Sequence, residues 1–173
     1  MKIDLGWRVS MKIDLGCGKQ AHEGFLRVDL YPGNRPDIVA DITQPIPGLA
    51  DGCAEHVICH HVLEHLHGIE DWRLVMTEIA RLLHSKSTFE IRVPHPSHDD
   101  AMIYGHVHVL SPRFWTDMRD QNWLENLLII DTIQESFDPR FLAERASLGN
   151  PPDALLRYLR NIYNETVITG HKP

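Results

Sequence analysis

The sequence has no apolar run long enough to span a bilayer, and its first residues lack the long apolar core of a secretory leader. Membrane insertion and export are therefore not expected, and a cytoplasmic location is. Positive charge is also scarce. The 17 Lys and Arg residues against 24 Asp and Glu leave a formal charge of −7, so the general basic footprint of a nucleic-acid binder is missing and DNA is not an expected partner. Cysteine is rare: Cys17, Cys53 and Cys59 are odd in number and show no CxxC spacing, which excludes a disulfide framework and predicts reduced thiols.

What remains is ordinary in bulk and uneven in detail. At 173 residues, 43% hydrophobic and 24% charged, the chain suits one soluble domain with a real core. A hexapeptide, Met-Lys-Ile-Asp-Leu-Gly, occurs at 1–6 and again at 11–16, and only the second copy continues into Cys17-Gly18. Residues 1–10 thus read as an extra N-terminal segment, disordered or artefactual, and 11–173 as a single domain. Histidine is abundant, with 12 in the chain, clustered between His56 and His108.

Short apolar runs alternate with helical patterns, which predicts a mostly parallel α/β sheet with crossover helices. Strands are expected at 12–15, 25–30, 38–41, 54–60, 88–93, 127–137 and 163–169. The fourth is rich in the apolar residues of a central strand. Apolar residues at Ile69, Trp72, Val75, Met76, Ile79, Leu82 and Leu83 predict an amphipathic helix over 69–84. Ser111-Pro112 reads as an N-cap and first helical residue of a helix reaching about Asp120. Segments 141–147 and 152–161 read as an inserted helical pair.

The chemistry is concentrated near the first strand. In Ile13-Asp14-Leu15-Gly16-Cys17-Gly18, two glycines stand where a buried strand turns, so backbone N–H groups can closely approach a ligand. Asp29 closes the second strand, where an acid can accept both hydroxyl hydrogens of a ribose. Asp41 closes the third, near where an adenine amino group would lie. Together these acids and the turn occupy carboxyl ends of neighbouring strands, where open α/β sheets bind ligands.

The run MKIDLGCGKQAHEGFLRVDLYPG, followed by ADITQPIP, HVICHHVLEHL and RLLHSKSTFEIRVPHP, resembles the small class I methyltransferases of the type-eleven group over about 11–115. The resemblance implies a Rossmann-like seven-stranded sheet with an antiparallel last strand and S-adenosylmethionine as methyl donor. By position, it implies that Asp14, Leu15, Gly16, Cys17 and Gly18 line the methionine moiety. Asp29 and Leu30 would hold the ribose, Asp41 and Ile42 the adenine, and His60 and His61 would lie beside the sulfonium. The sequence departs from this group in three places. Only nine residues separate Gly18 from Val28, so the first crossover helix is short or absent. Relatives usually carry Lys-Pro-Gly-Gly where this chain has His84 to Ser87. The helices that usually precede the first strand are also missing, which predicts an open pocket closed by a large substrate or a partner subunit, a homo-oligomer being one such arrangement. The third glycine of a GxGxxG is absent too, which counts against NAD, whose pyrophosphate needs a helix N-terminus.

The histidines admit two readings. His61-Val62-Leu63-Glu64-His65 resembles a structural Glu-His pair of metal-free relatives. It also resembles the ExxEH of metal-dependent small-RNA and quinone-precursor methyltransferases, with His106 or His108 as a fourth ligand and a transition metal favoured. The resemblance also implies that the loop after the fifth strand, with His95, His98, His106 and His108, forms the acceptor side. His61 and His108 are the candidate catalytic residues, a neutral imidazole being able to take a proton from an attacking hydroxyl or amine. Asn150-Pro151-Pro152-Asp153 is in the wrong place for the signature of amino-group DNA methyltransferases and reads as a helix start. The expected function is methyl transfer to an unidentified acceptor. The alternatives are a non-catalytic cofactor-binding or interaction protein, and a metal-dependent enzyme using His61, Glu64, His65 and a later histidine.

Overall fold

A computed structural model of the chain describes residues 11–19, 22–137 and 163–173. The N-terminal segment 1–10 and the expected helices at 141–147 and 152–161 lie outside the described residues. One seven-stranded sheet organises the rest, built from β1 (Met11–Leu15), β2 (Leu26–Asp29), β3 (Ile38–Val39), β4 (Ala54–His60), β5 (Leu83–Pro94), β6 (Ile129–Phe137) and β7 (Tyr163–His171). Its order is β3-β2-β1-β4-β5-β7-β6. Pairing is parallel from β3 through β5, and β7 runs antiparallel to both β5 and β6. The chain enters the sheet at β1, steps outward to β3 and returns to β4, so the order reverses between β1 and β4. A crevice opens at such a reversal, outside the carboxyl ends of the strands.

The link from β1 to β2 contains no helix among the described residues. Gly16, Gly18 and Gly24 all adopt positive φ there, a conformation incompatible with a continuing right-handed helix. The two α-helices that are described, α1 (Ile69–Leu82) and α2 (Pro112–Asp120), follow β4 and β5. α1 buries Trp72, Val75, Met76, Ile79 and Leu82 in the core with Ile13, Leu15, Val57, Phe89 and Ile91. Its expected extension to 84 is cut short because Leu83 turns to an extended conformation and starts β5. Lys172 then covers the helix end, its Nζ donating to the carbonyls of Ala80 and Leu83 at 2.8 Å each. Lys86 takes the left-handed conformation (φ 69°).

The sheet is two-faced, even though its central strand is rich in buried apolar residues, as expected. β4 alternates: Val57 and Cys59 are buried in the core, whereas His56 and His60 point to the other face with Glu90 and Arg92 of β5. Parallel sheets ordinarily have both faces covered by helices. Among the described residues no helix covers this second face, and a polar network occupies it instead. Glu90 takes a hydrogen bond from Arg92 Nε (2.8 Å), His56 Nδ1 meets Thr88 Oγ1 (2.8 Å), and His22 packs edge-on against His60 with ring centroids 5.0 Å apart.

The start of α2 matches its sequence signal. Ser111 Oγ accepts from Phe114 N (3.3 Å), with Pro112 at the first helical position. Ser111→Ala should lower stability by about 1 kcal/mol, the usual worth of an N-cap. Urea denaturation followed by tryptophan fluorescence would measure it, and an unchanged midpoint would mean that this cap contributes nothing.

Candidate active site

β1 ends in the glycine turn because Gly16 can hold φ 72° and Gly18 φ 55°. The N–H groups of Gly16 and Cys17 both donate to the carbonyl of Val28, at 2.8 and 3.1 Å, which pins the turn to β2. Gly16 is also needed for packing: a Cβ there would lie 2.3 Å from Val62 Cγ2. At Gly18 an added Cβ would meet no described atom within 4 Å, so that backbone faces open space.

Asp29 fastens the same turn from the end of β2. Its carboxylate accepts from Gly18 N (2.8 Å), Tyr31 N (2.7 Å) and Asn34 Nδ2 (3.1 Å), and the residue is buried. A carboxylate offers about four acceptor positions, so roughly one stays open toward the crevice. Asp41, exposed beyond β3, accepts from the N–H and hydroxyl of Thr43 through one oxygen, Oδ1, at 2.9 and 2.7 Å.

These residues line one cavity of about 600 Å³, within the range of small-molecule sites. Of the residues singled out from sequence, Gly16, Gly18, Asp29, Leu30, Asp41, Ile42 and His61 lie on its wall. Asn34, Ala40, Thr43, Val62, His65, Leu66, His67 and Asp71 complete it. A second cavity of about 550 Å³ shares Gly16, Gly18 and His61 with the first and adds Asp14, Cys17, Lys19, His22, His60, Arg92 and Glu165. Asp14 is buried there, its Oδ2 2.9 Å from His22 Nδ1. Leu15 lines neither cavity, being wholly inside the core. His108 lines neither, because its ring packs edge-on against Trp72 at 4.9 Å.

His61 joins the two cavities. It sits just past β4 in a left-handed conformation (φ 55°), which is costly for a residue with a Cβ and typical of functional sites. Its Nε2 donates to Glu165 Oε1 of β7 at 2.7 Å, and its Nδ1 lies 3.5 Å from Glu64 Oε1. The bond to Glu165, reinforced by Glu64 and outweighing burial, pushes its pKa up to about 9. That pairing favours the imidazolium form of His61 over the free base. His60, by contrast, is held neutral: burial, then the Arg92 guanidinium, lower its pKa. The thiols of Cys17 and Cys59 are both pushed up by burial, consistent with no nucleophilic role.

The loop histidines have separate places. His95 Nδ1 accepts from Ser97 N (3.1 Å), and its Nε2 donates to Glu135 (2.9 Å). His98 accepts from Asp100 N, capping a short turn. His61, Glu64 and His65 do not share one α-helical face. His61 precedes the single 3-10 turn Leu63–His65, and its left-handed backbone turns it toward β7. Sequence reasoning missed Glu165 and Arg92, since neither belongs to a motif; strand pairing alone brings them to His61.

Known proteins share this fold. Residues 13–91 match a methyltransferase-domain family of the type-eleven group. The fold is similar to a SAM-dependent methyltransferase from Archaeoglobus fulgidus, with TM-score 0.68, 14% identity, and coverage of 95% of this chain and 87% of that one. It is also similar to a chain in the complex of the Haloferax volcanii Trm112 methyltransferase activator with a methyltransferase (TM-score 0.65, 17% identity, 95% and 83% coverage). A third similar structure is the geranyl diphosphate C-methyltransferase of Streptomyces coelicolor A3(2), with Mg²⁺, geranyl diphosphate and S-adenosylhomocysteine (TM-score 0.62, 12% identity, 96% and 73% coverage). No curated protein matches the sequence. The sheet order and the matched segment are those of one class, the class I S-adenosylmethionine-dependent methyltransferases. Within it, the matching segment is a methyltransferase domain of the type-eleven group.

Proposed function

We propose that the chain transfers the methyl group of S-adenosylmethionine to an O, N or C acceptor, with the adenosine in the larger cavity and the methionyl end toward the second. The observation that carries this reading is the convergence of the Gly16–Gly18 turn, Asp29 and Asp41 on one cavity at the point where the strand order reverses. The residues present fit that molecule. Gly18 leaves backbone-lined space, Asp29 has an acceptor position left for a ribose hydroxyl, and buried Ile42 offers an apolar wall for a base.

When bound, S-adenosylmethionine supplies a methyl carbon on a sulfonium, open to in-line displacement by an acceptor lone pair. The chain's own part is positioning. Asp29 holds the glycine turn in register with β2, and Val62 presses on Gly16 from the opposite wall. The bond to Glu165 favours a protonated His61 beside the site, a positive charge set between the two cavities. The polar second cavity, with His60 neutral beside Arg92, is the candidate acceptor side. No helix of the described residues is long and apolar enough to cross a membrane. With three free cysteines, two of them buried, the chain suits a reducing cytoplasm.

Isothermal calorimetry with S-adenosylmethionine, S-adenosylhomocysteine and NAD tests the reading. Both methionine derivatives are expected to bind near one per chain and NAD not to bind. Binding of NAD with neither derivative taken up would overturn it.

A further inference from the structure

Beside the larger cavity stands a cluster that methyl transfer does not use. Glu64 is almost fully enclosed, at 1% exposure, yet neither of its carboxylate oxygens has a hydrogen-bond partner among the described residues. A buried polar group in that state is destabilising unless something compensates it. Two nitrogens face it: His61 Nδ1 lies 3.5 Å from Glu64 Oε1, and His106 Nε2 lies 4.0 Å from it in a side chain that is itself 6% exposed. One ligand atom each from Glu64, His65 and His106 lie within 4.8 Å of one another.

We propose that Glu64, His65 and His106 bind a divalent transition-metal ion, with zinc the best match to the donor set. Two imidazoles and one carboxylate form the three-protein-ligand set of open zinc sites, whereas magnesium prefers oxygen alone. The supporting contacts are also in place. His65 Nδ1 donates to the Gly105 carbonyl (2.9 Å), which leaves the lone pair on Nε2 and orients the ring as metal-binding histidines are oriented. Val107 N and His108 N both donate to the Glu64 carbonyl, at 2.8 and 3.2 Å, and so hold His106 against Glu64. In a tetrahedral zinc site the ligand atoms stand about 3.4 Å apart, given metal–ligand bonds of about 2.1 Å. The cluster therefore needs to tighten by roughly 1 Å, a side-chain adjustment. His61 is not in the set: its Nε2 is committed to Glu165, and its Nδ1, 3.5 Å from Glu64, stands as an ion-pair partner of that carboxylate. Since His65 lines the larger cavity, an open coordination position would face it. The site does not depend on methyl transfer, and metal binding is measured without S-adenosylmethionine.

The test uses the full chain, stripped with a chelator and titrated with zinc chloride, with metal content read by plasma mass spectrometry. Wild type is expected to hold about one zinc per chain and to melt at a higher temperature with zinc than without. Glu64→Gln and His106→Gln should each weaken binding at least tenfold, and His56→Gln, on the uncovered sheet face, should leave it unchanged. Circular dichroism melts of the metal-free variants separate lost affinity from lost folding. Sub-stoichiometric zinc in wild type, equal affinity in folded Glu64→Gln and His106→Gln, or magnesium binding tighter than zinc would each overturn the site.

Discussion

Asp29→Ala is expected to lose both stability and cofactor affinity. The carboxylate takes three N–H donors, from Gly18, Tyr31 and Asn34, so its removal leaves two backbone groups and one side-chain amide without their acceptor. Each orphaned donor costs about 1–3 kcal/mol when buried, less where water reaches it. Because the site is only partly enclosed, a stability loss of about 2–3 kcal/mol is expected, readable by chemical denaturation. S-adenosylhomocysteine affinity should fall ten- to a hundredfold, about 1.4–2.8 kcal/mol. A 2′-deoxyribose analogue of the ligand separates the two roles of Asp29. If the carboxylate touches the ribose, wild type distinguishes ribose from deoxyribose and the variant does not. Unchanged affinity in a folded Asp29→Ala protein would remove this residue from the cofactor site.

The two glycines of the turn should respond differently to alanine. Gly16→Ala places a Cβ 2.3 Å from the β-branched Val62 at φ 72°. The left-handed conformation costs about 1–2 kcal/mol and the collision about 1–3 kcal/mol more. A large loss of stability is expected, with Val62→Ala as second substitution recovering the collision but not the conformational cost. Gly18→Ala meets no described atom within 4 Å, so only the smaller conformational cost at φ 55° is expected in the free protein. Its methyl group projects into space shared by both cavities, so affinity for S-adenosylmethionine should suffer more than stability. Paired melting and calorimetry of the two variants would show this reversal. Equal effects of both on both measurements would mean that the turn does not cradle the ligand.

The features readable in the sequence were those with local causes. Short apolar runs and glycine or proline stops placed every strand of the sheet, with β4 matched at both ends and β5 extended by several residues at its start. Asp29 and Asp41 could be located because each ends a strand, and strand ends on one side of a parallel sheet share one crevice. Missing from that reading was the polar face of the sheet. The alternation of His56, Val57, Cys59 and His60 was present in the sequence, but the apolar members dominate such a run and suggest burial on both sides. His108 illustrates a further limit, since its distance from the cavities depends on Trp72 of α1 drawing its ring away.

By itself, then, the sequence determined the strands, the glycine turn and the acids that follow it, because backbone conformation and side-chain period are written within a few residues of where they act. The tertiary structure alone decided which histidines meet which acids. His61 meets Glu165, which favours its charged form, because β7 returns beside β5 and brings in that acid, 104 residues along the chain. Glu64 faces His106 because backbone bonds fold the loop after β5 over it. Such pairings depend on strand order and loop closure, and no local pattern encodes either.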